Sequence, residues 1–145
     1  MTSVSRRIAL AAALTLGCVA GAAAAEVKYS ARLDSSAETP PNTSGATGRV
    51  EATYDDSTRT LSWTATYSGL TGPATAAHFH GPAPTGKAAG VMVPVGGSLD
   101  SPIHGSAVLT PEQVVDLAEG QVYFNIHTAA NKGGEIRGQM IMAGK

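Results

Sequence analysis

Apolar and polar residues alternate along most of this chain, which is the pattern of a β-strand with one buried face. The alternation is clearest over residues 27–33, 48–54 and 58–68, where every second side chain is mostly apolar. Clusters of Gly, Pro, Asn and Asp separate such segments, as expected at turns. The pattern predicts an all-β fold, an antiparallel sandwich with Greek-key connections. Further short strands are predicted over residues 75–80, 91–95, 103–109, 121–128 and 135–142.

The segment from Thr110 to Gly120 carries helix signals instead. Thr110 suits the N-cap and Pro111 the first helical position, while Gln113 completes a capping box. Gly120 follows the last turn, as glycine often does at the end of a helix. We therefore predict one short crossover helix. The apolar side chains expected to dock it on the sandwich are Val114, Val115 and Leu117.

Residues 1–25 have the composition of a signal peptide. Arg6-Arg7 forms a positively charged start, residues 8–20 carry no charge, and the small residues that follow permit cleavage after Ala25. The apolar run is too short for a transmembrane helix. We therefore expect a secreted or periplasmic protein whose residues 26–145 form one domain.

The same segment leaves the route of export open. Ser5-Arg6-Arg7 permits the twin-arginine route beside the general secretory route. Gly17-Cys18 leaves a lipoprotein attached through Cys18 as an alternative. Cys18 is the only cysteine of the chain, so cleavage after Ala25 would exclude both a disulfide and a cysteine-ligated metal site in the domain.

The charge of the chain excludes two classes of partner. The sequence has 10 basic and 11 acidic residues, and two of the basic residues lie within residues 1–25. The remaining domain is mildly acidic and lacks the basic stripe of a nucleic-acid-binding protein. It also lacks the polybasic segment of a membrane-surface protein. An extracytoplasmic protein or a small ligand remains as the expected kind of partner.

Three of the four histidines lie in two short motifs, His78-Phe79-His80 and Asn125-Ile126-His127. Because side chains alternate along a strand, a core position for Phe79 turns His78 and His80 to the opposite face. The same alternation turns His127 away from the core, whereas His104 lies outside both motifs and is expected to face solvent. One polar face is therefore predicted to carry His78, His80, Tyr123, Asn125, His127, Glu135, Arg137 and Gln139.

Two interpretations fit this polar face. In the first, it is a hydrogen-bonded network in which Arg137 pairs with Glu135 and the loop over residues 81–90 covers the histidines. In the second, His78, His80 and His127 bind copper or zinc, with Glu135 as a fourth ligand or as a hydrogen-bond partner that fixes a tautomer. The residue types alone favour the network. No catalytic residue is predicted under either interpretation, although a copper site could be redox-active.

The chain resembles the CHRD domain family, named from chordin, in four segments. They are Ala37–Pro41, Ala77–Ala83, Val122–Thr128 and Gly133–Gln139, and their order and spacing span nearly the whole domain. The resemblance implies an immunoglobulin-like all-β fold and an exported location, and it implies little about biochemistry. We expect the domain to act as a binding or structural module. In chordin-like proteins the domain belongs to multidomain binders of signalling ligands, a role that does not carry over to a single domain.

A looser similarity is to copper–zinc superoxide dismutase. That family also has a His-x-His strand in a Greek-key sandwich and a late glycine-rich turn that leads to an arginine, which Gly133–Arg137 partly matches. This chain lacks the disulfide cysteines and the zinc-binding loop of that family. The similarity therefore supports a metal site more than it supports dismutase activity.

Overall fold

The computed structural model describes residues 25–144 and contains nine β-strands with one α-helix. The signal peptide predicted over residues 1–25 lies outside the described residues except for Ala25. No helix in residues 25–144 is long and apolar enough to cross a membrane. The strands are β1 (Glu26–Asp34), β2 (Thr47–Asp55), β3 (Thr60–Ser68), β4 (Ala74–His80), β5 (Val91–Pro94), β6 (Ile103–Val108), β7 (Tyr123–Thr128), β8 (Ile136–Gln139) and β9 (Ile141–Met142), with helix α1 (Pro111–Ala118) between β6 and β7.

The strands form one antiparallel sheet that curls around a shared core. Hydrogen bonds join them in the order β5-β4-β7-β8-β1-β2-β3-β6, and β9 pairs with β1. Trp63 of β3 and Phe79 of β4 are far apart in this order, yet their ring centroids lie only 4.9 Å apart. The sheet is therefore nearly closed, like a barrel. The predicted all-β antiparallel fold with one short helix is confirmed, although the hydrogen bonds follow one continuous path and do not by themselves define two layers.

Period-two alternation places the core on the inner face of the sheet. Tyr29, Ala31 and Leu33 are buried on β1, and the residues between them are more exposed. Burying a large apolar side chain stabilises the fold by about 1.5–3 kcal/mol. The large apolar side chains that are fully buried are Leu33, Leu61, Phe79, Ile103, Leu109, Leu117, Phe124, Ile126, Ile136 and Met140.

Helix α1 has the predicted start but docks through fewer residues than expected. The side chain of Thr110 accepts a hydrogen bond from the backbone N–H of Gln113, and both halves of the capping box are present. Leu117 is buried and Val114 packs against the core, whereas Val115 is 53 % exposed. The prediction was wrong for Val115 because residues two apart lie on nearly opposite faces of a helix, and Leu117 faces the core.

The single strand predicted over residues 135–142 is divided at Met140. β8 pairs with β7 and, through Arg137, with β1, whereas β9 pairs with β1. The buried Met140 between them donates its backbone N–H to Val122 O at 2.9 Å. Gly138 permits the close approach of β8 to β1, because a Cβ there would collide with the carbonyl oxygen of Arg32.

Glu135 connects three distant segments next to the turn between β7 and β8. Its carboxylate is fully buried and accepts hydrogen bonds from Ser44 Oγ at 2.6 Å, Thr128 Oγ1 at 2.6 Å and Thr71 Oγ1 at 2.7 Å. The backbone N–H of Thr71 adds a fourth bond at 2.8 Å. Burial raises the pKa of Glu135, but these hydrogen bonds outweigh burial and hold the pKa at about 2.

The prediction that Glu135 and Arg137 form an ion pair is wrong. Four donors already occupy the oxygens of Glu135. The guanidinium of Arg137 instead donates to Lys87 O at 2.7 Å and to Thr39 Oγ1 at 3.2 Å.

Replacing Glu135 with glutamine should lower the free energy of unfolding by roughly 3 kcal/mol at neutral pH, because each unit of pKa shift corresponds to about 1.4 kcal/mol. The folded-state pKa lies below the ordinary value of 4.5, so the stabilisation is present above that ordinary value. It is lost as the pH falls towards about 2. The difference between wild type and E135Q should therefore narrow on acidification, as measured by urea unfolding over a pH series.

The exposed Glu51, paired only with Arg49 on the surface, supplies the matched control Glu51→Gln, which should change stability little at any pH. A stability difference for E135Q that stays constant from neutral pH to pH 3 would contradict the assignment of Glu135 as a buried carboxylate.

Candidate metal centre

The two histidines of β4 lie on the outer face of the sheet because Phe79 occupies the inner face. Phe79 is fully buried, and its ring centroid lies 4.8 Å from that of Phe124 on β7. The register of β4 with β7 places His78 opposite Asn125 and His80 opposite Tyr123. The predicted alternation of faces is confirmed, and it brings the polar residues of the two motifs together.

Three imidazoles meet on this face. His78 Nδ1 lies 3.1 Å from His127 Nε2, and one ring nitrogen from each of His78, His80 and His127 falls within a group no wider than 4.8 Å. Three nitrogens bound to one ion at 2.0–2.1 Å with tetrahedral angles lie about 3.3–3.4 Å apart. The widest separation in the group exceeds that distance by about 1.4 Å, which movements of about 0.7 Å at each of two rings would close.

Backbone carbonyls fix the tautomers of two of these rings. His80 Nδ1 lies 3.0 Å from Ala89 O, and His127 Nδ1 lies 2.9 Å from Lys132 O. A carbonyl oxygen only accepts hydrogen bonds, so both Nδ1 atoms carry a proton. In the neutral rings, the Nε2 atoms then hold the lone pairs. Such carbonyl contacts commonly orient the histidine ligands of metal sites.

Burial favours the uncharged form of His78 and His127, the two histidines on the more exposed side of the cluster. It lowers the pKa of His78, and the neighbouring His127 and His80 lower it further. Burial also lowers the pKa of His127, although the hydrogen bond to Lys132 partly opposes this effect. Neutral imidazole is the form that binds metal ions.

Tyr123 forms one wall of the centre. The ring of His80 stacks parallel to that of Tyr123, with centroids 4.8 Å apart and an interplanar angle of 3°. The guanidinium carbon of Arg137 lies 3.4 Å from the centre of the same ring. Because β7 lies between β4 and β8 in the sheet, His80 and Arg137 approach Tyr123 from its two sides. A cation is attracted to the face of an aromatic ring, so the contact with Arg137 helps to hold the Tyr123 ring in one orientation.

The loop over residues 81–90 covers the His80 side of the centre, as the sequence predicted. Its carbonyl oxygens accept hydrogen bonds from His80, Arg137 and Gln139, the last through Ala83 O at 2.8 Å. The backbone N–H of Ala89 also donates to the hydroxyl of Tyr123 at 3.2 Å. The hydrogen-bonded network and the histidine cluster are therefore parts of one arrangement.

Glu135 and Glu38 are the two buried glutamates to be considered beside the histidine cluster. Glu135, suggested as a fourth ligand, is engaged elsewhere and does not belong to the convergent group found among residues 25–144. Glu38 was missed by the sequence reasoning. It is only 6 % exposed, and a Cβ at Gly134 would touch both its carboxylate and the amide nitrogen of Asn125. Its place in the Ala37–Pro41 motif was the only signal in the sequence.

The fourth histidine lies apart from this centre. His104 is exposed on β6, and its Nδ1 lies 3.1 Å from Thr64 Oγ1. The expectation that it faces solvent is confirmed.

Asn125 contacts the cluster directly, since its Oδ1 lies 3.0 Å from His80 Nε2.

Comparison with known proteins places the chain in a family. The model of the CHRD domain matches residues 29–140, a span that includes all three clustered histidines and both buried acidic residues. Neither the curated proteins nor the solved structures gave a match. The matched span covers most of the chain, and the chain therefore belongs to the CHRD domain family.

Proposed function

We propose that this CHRD domain is a binding module for a copper or zinc ion, held by His78, His80 and His127. The supporting observation is the convergence of one nitrogen from each ring within 4.8 Å. Two of the rings are also held through Nδ1 by backbone carbonyls, so their lone pairs lie on Nε2. Both Nε2 atoms contact polar groups of the same face, His78 Nδ1 at 3.1 Å from His127 and Asn125 Oδ1 at 3.0 Å from His80. A bound ion would replace these contacts.

The donor set suits these two metals. Imidazole nitrogen binds both copper and zinc, and copper(II) is held more tightly than zinc by a given set of such ligands. Bound copper would supply one-electron chemistry and bound zinc Lewis acidity. The protein's own part is to orient the rings through Ala89 and Lys132 and to shield His80 from water beneath residues 81–90.

The purified, tag-free domain should bind about one copper(II) or zinc(II) ion per chain and unfold at a higher temperature when loaded, because only the folded state holds the three rings together. His78→Gln and His127→Gln should each weaken binding at least about tenfold. Elemental analysis and isothermal titration calorimetry measure the stoichiometry and the affinity, and thermal unfolding measures the stabilisation.

The exposed histidine on β6 supplies the matched control, since His104→Gln should leave metal affinity unchanged. Protein that takes up neither ion at micromolar concentration would refute the metal site. Histidine variants that lose stability equally with and without metal would instead identify the cluster as a structural network that holds the loop over residues 81–90.

We propose a Greek-key sandwich, like that of immunoglobulin domains or copper–zinc superoxide dismutase, as the finer description of the fold. The strand order supports it. If the two edge strands β5 and β6 lie side by side, β3 to β6 follow the order 3-6-5-4, which is a Greek key. A crystal structure with β5 and β6 at distant edges would contradict this description.

We also propose that the protein is exported and that residues 1–25 are removed. The first strand begins at Glu26, directly after the expected cleavage site. Protein recovered from the periplasm or the medium of a bacterial host should therefore begin at Glu26, as intact-mass spectrometry can measure.

The double change Arg6→Lys and Arg7→Lys should leave export intact if the general secretory route is used, and should abolish it if the twin-arginine route is used. Protein that keeps Met1, or that carries a lipid on Cys18, would contradict cleavage after Ala25.

A further inference from the structure

We infer that Asn125 is the fourth ligand of this centre and supplies its side-chain oxygen Oδ1 beside the three imidazole nitrogens. The inference rests on the proposed metal site and names the rest of its donor set. Asn125 is only 2 % exposed and lies directly opposite His78 in the register of β4 with β7. Its side chain therefore shares the face that carries the three rings.

The distances fit four ligands arranged as two pairs. His80 Nε2 lies 3.0 Å from Asn125 Oδ1, and His78 Nδ1 lies 3.1 Å from His127 Nε2. Neighbouring ligands of one ion at 2.0–2.1 Å are separated by about 2.9–3.4 Å, depending on the angle between them. Each pair joins one residue of β4 to one residue of β7, so four side chains of two paired strands form the complete set.

A cation would stabilise the contact between His80 and Asn125. The bond from Nδ1 to Ala89 O gives that nitrogen the proton, so Nε2 of neutral His80 holds a lone pair. Asn125 Oδ1 is also an acceptor, and two acceptors at 3.0 Å repel each other unless a proton or a metal ion lies between them. A metal ion bound by both atoms would remove the repulsion.

The carboxylate of Glu38 lies on the nitrogen side of the Asn125 amide. A Cβ added at Gly134 would meet both the Glu38 carboxylate and Asn125 Nδ2. An amide whose nitrogen lies on the side of a carboxylate turns its oxygen the other way, here towards His80. Gly134 leaves room for this arrangement, because a Cβ at that position would collide with Glu38.

The donor set indicates which ion is preferred. Three imidazoles and one amide are all neutral, so the ion keeps its full charge, and the nearby carboxylate of Glu38 partly balances it. An amide oxygen is a harder donor than the sulfur ligands that select copper(I). The centre should therefore prefer copper(II) to copper(I).

In the competing arrangement, Asn125 is not a metal ligand. In it the amide is reversed, so that its nitrogen donates to His80 Nε2 and its oxygen accepts a hydrogen bond from the neutral carboxyl group of Glu38. Asn125 would then belong only to the hydrogen-bonded network. The two arrangements differ in whether an atom of Asn125 bonds to the bound ion.

Electron–nuclear double resonance of copper(II)-loaded protein tests that bond. The full-length domain is labelled with ¹³C at the side-chain carbonyl of asparagine and loaded with one equivalent of copper(II). A ligated Asn125 should give a ¹³C coupling that disappears in Asn125→Leu. Copper(II) affinity should fall about tenfold in Asn125→Leu and rise about tenfold in Asn125→Asp, which places a charged oxygen at the same position.

Asn131→Asp is the matched control, because it makes the same chemical change in the nearby turn and should alter neither the coupling nor the affinity. Copper-loaded wild type without the ¹³C coupling, together with unchanged affinity in Asn125→Asp, would overturn the assignment of Asn125 and leave the three-histidine site intact. Wild type that binds neither copper nor zinc would overturn the proposed function itself. If Asn125→Leu fails to fold, the labelled wild type still decides the question.

Discussion

The register between β4 and β7 is the constraint on which the candidate centre depends. It pairs Phe79 with Phe124 in the core and, one position away, His78 with Asn125 on the opposite face. A slip of one residue would turn every side chain of β4 to the other face. The fully buried phenylalanines, whose rings meet edge to face, oppose such a slip, because it would expose them and bury the imidazoles. Hydrophobic packing on one face thus fixes the positions of the candidate ligands on the other.

The sequence predicted what depends on local periodicity. The alternation of apolar residues located the strands, the capping residues located α1, and Phe79 determined the face of His78 and His80. The division of the last strand at Met140 was not predictable in this way, because it depends on which neighbour each half pairs with. The same limit applies to Val115, since its exposure depends on the angle at which α1 docks.

The hydrogen-bond partners of the buried acidic side chains could not be predicted from the sequence, for a different reason. Glu135 is satisfied by Ser44 and Thr71, which are distant in sequence and come from irregular segments. Glu38 reaches Asn125 across a similar separation. Contacts between loops have no periodic signature, and pairing Glu135 with the nearby Arg137 was the simplest expectation from the sequence. The three histidines were predictable together only because they lie on strands.

The uneven cover over the centre has a kinetic consequence. His80 is buried beneath the loop over residues 81–90, whereas His78 and His127 are only partly buried. An incoming ion would therefore meet His78 and His127 first and reach His80 last. Release would follow the reverse order, so a competing chelator could attack while the ion is still bound to the inner ring. The exchange rate would then depend on the mobility of the outer pair more than on the strength of the inner bond.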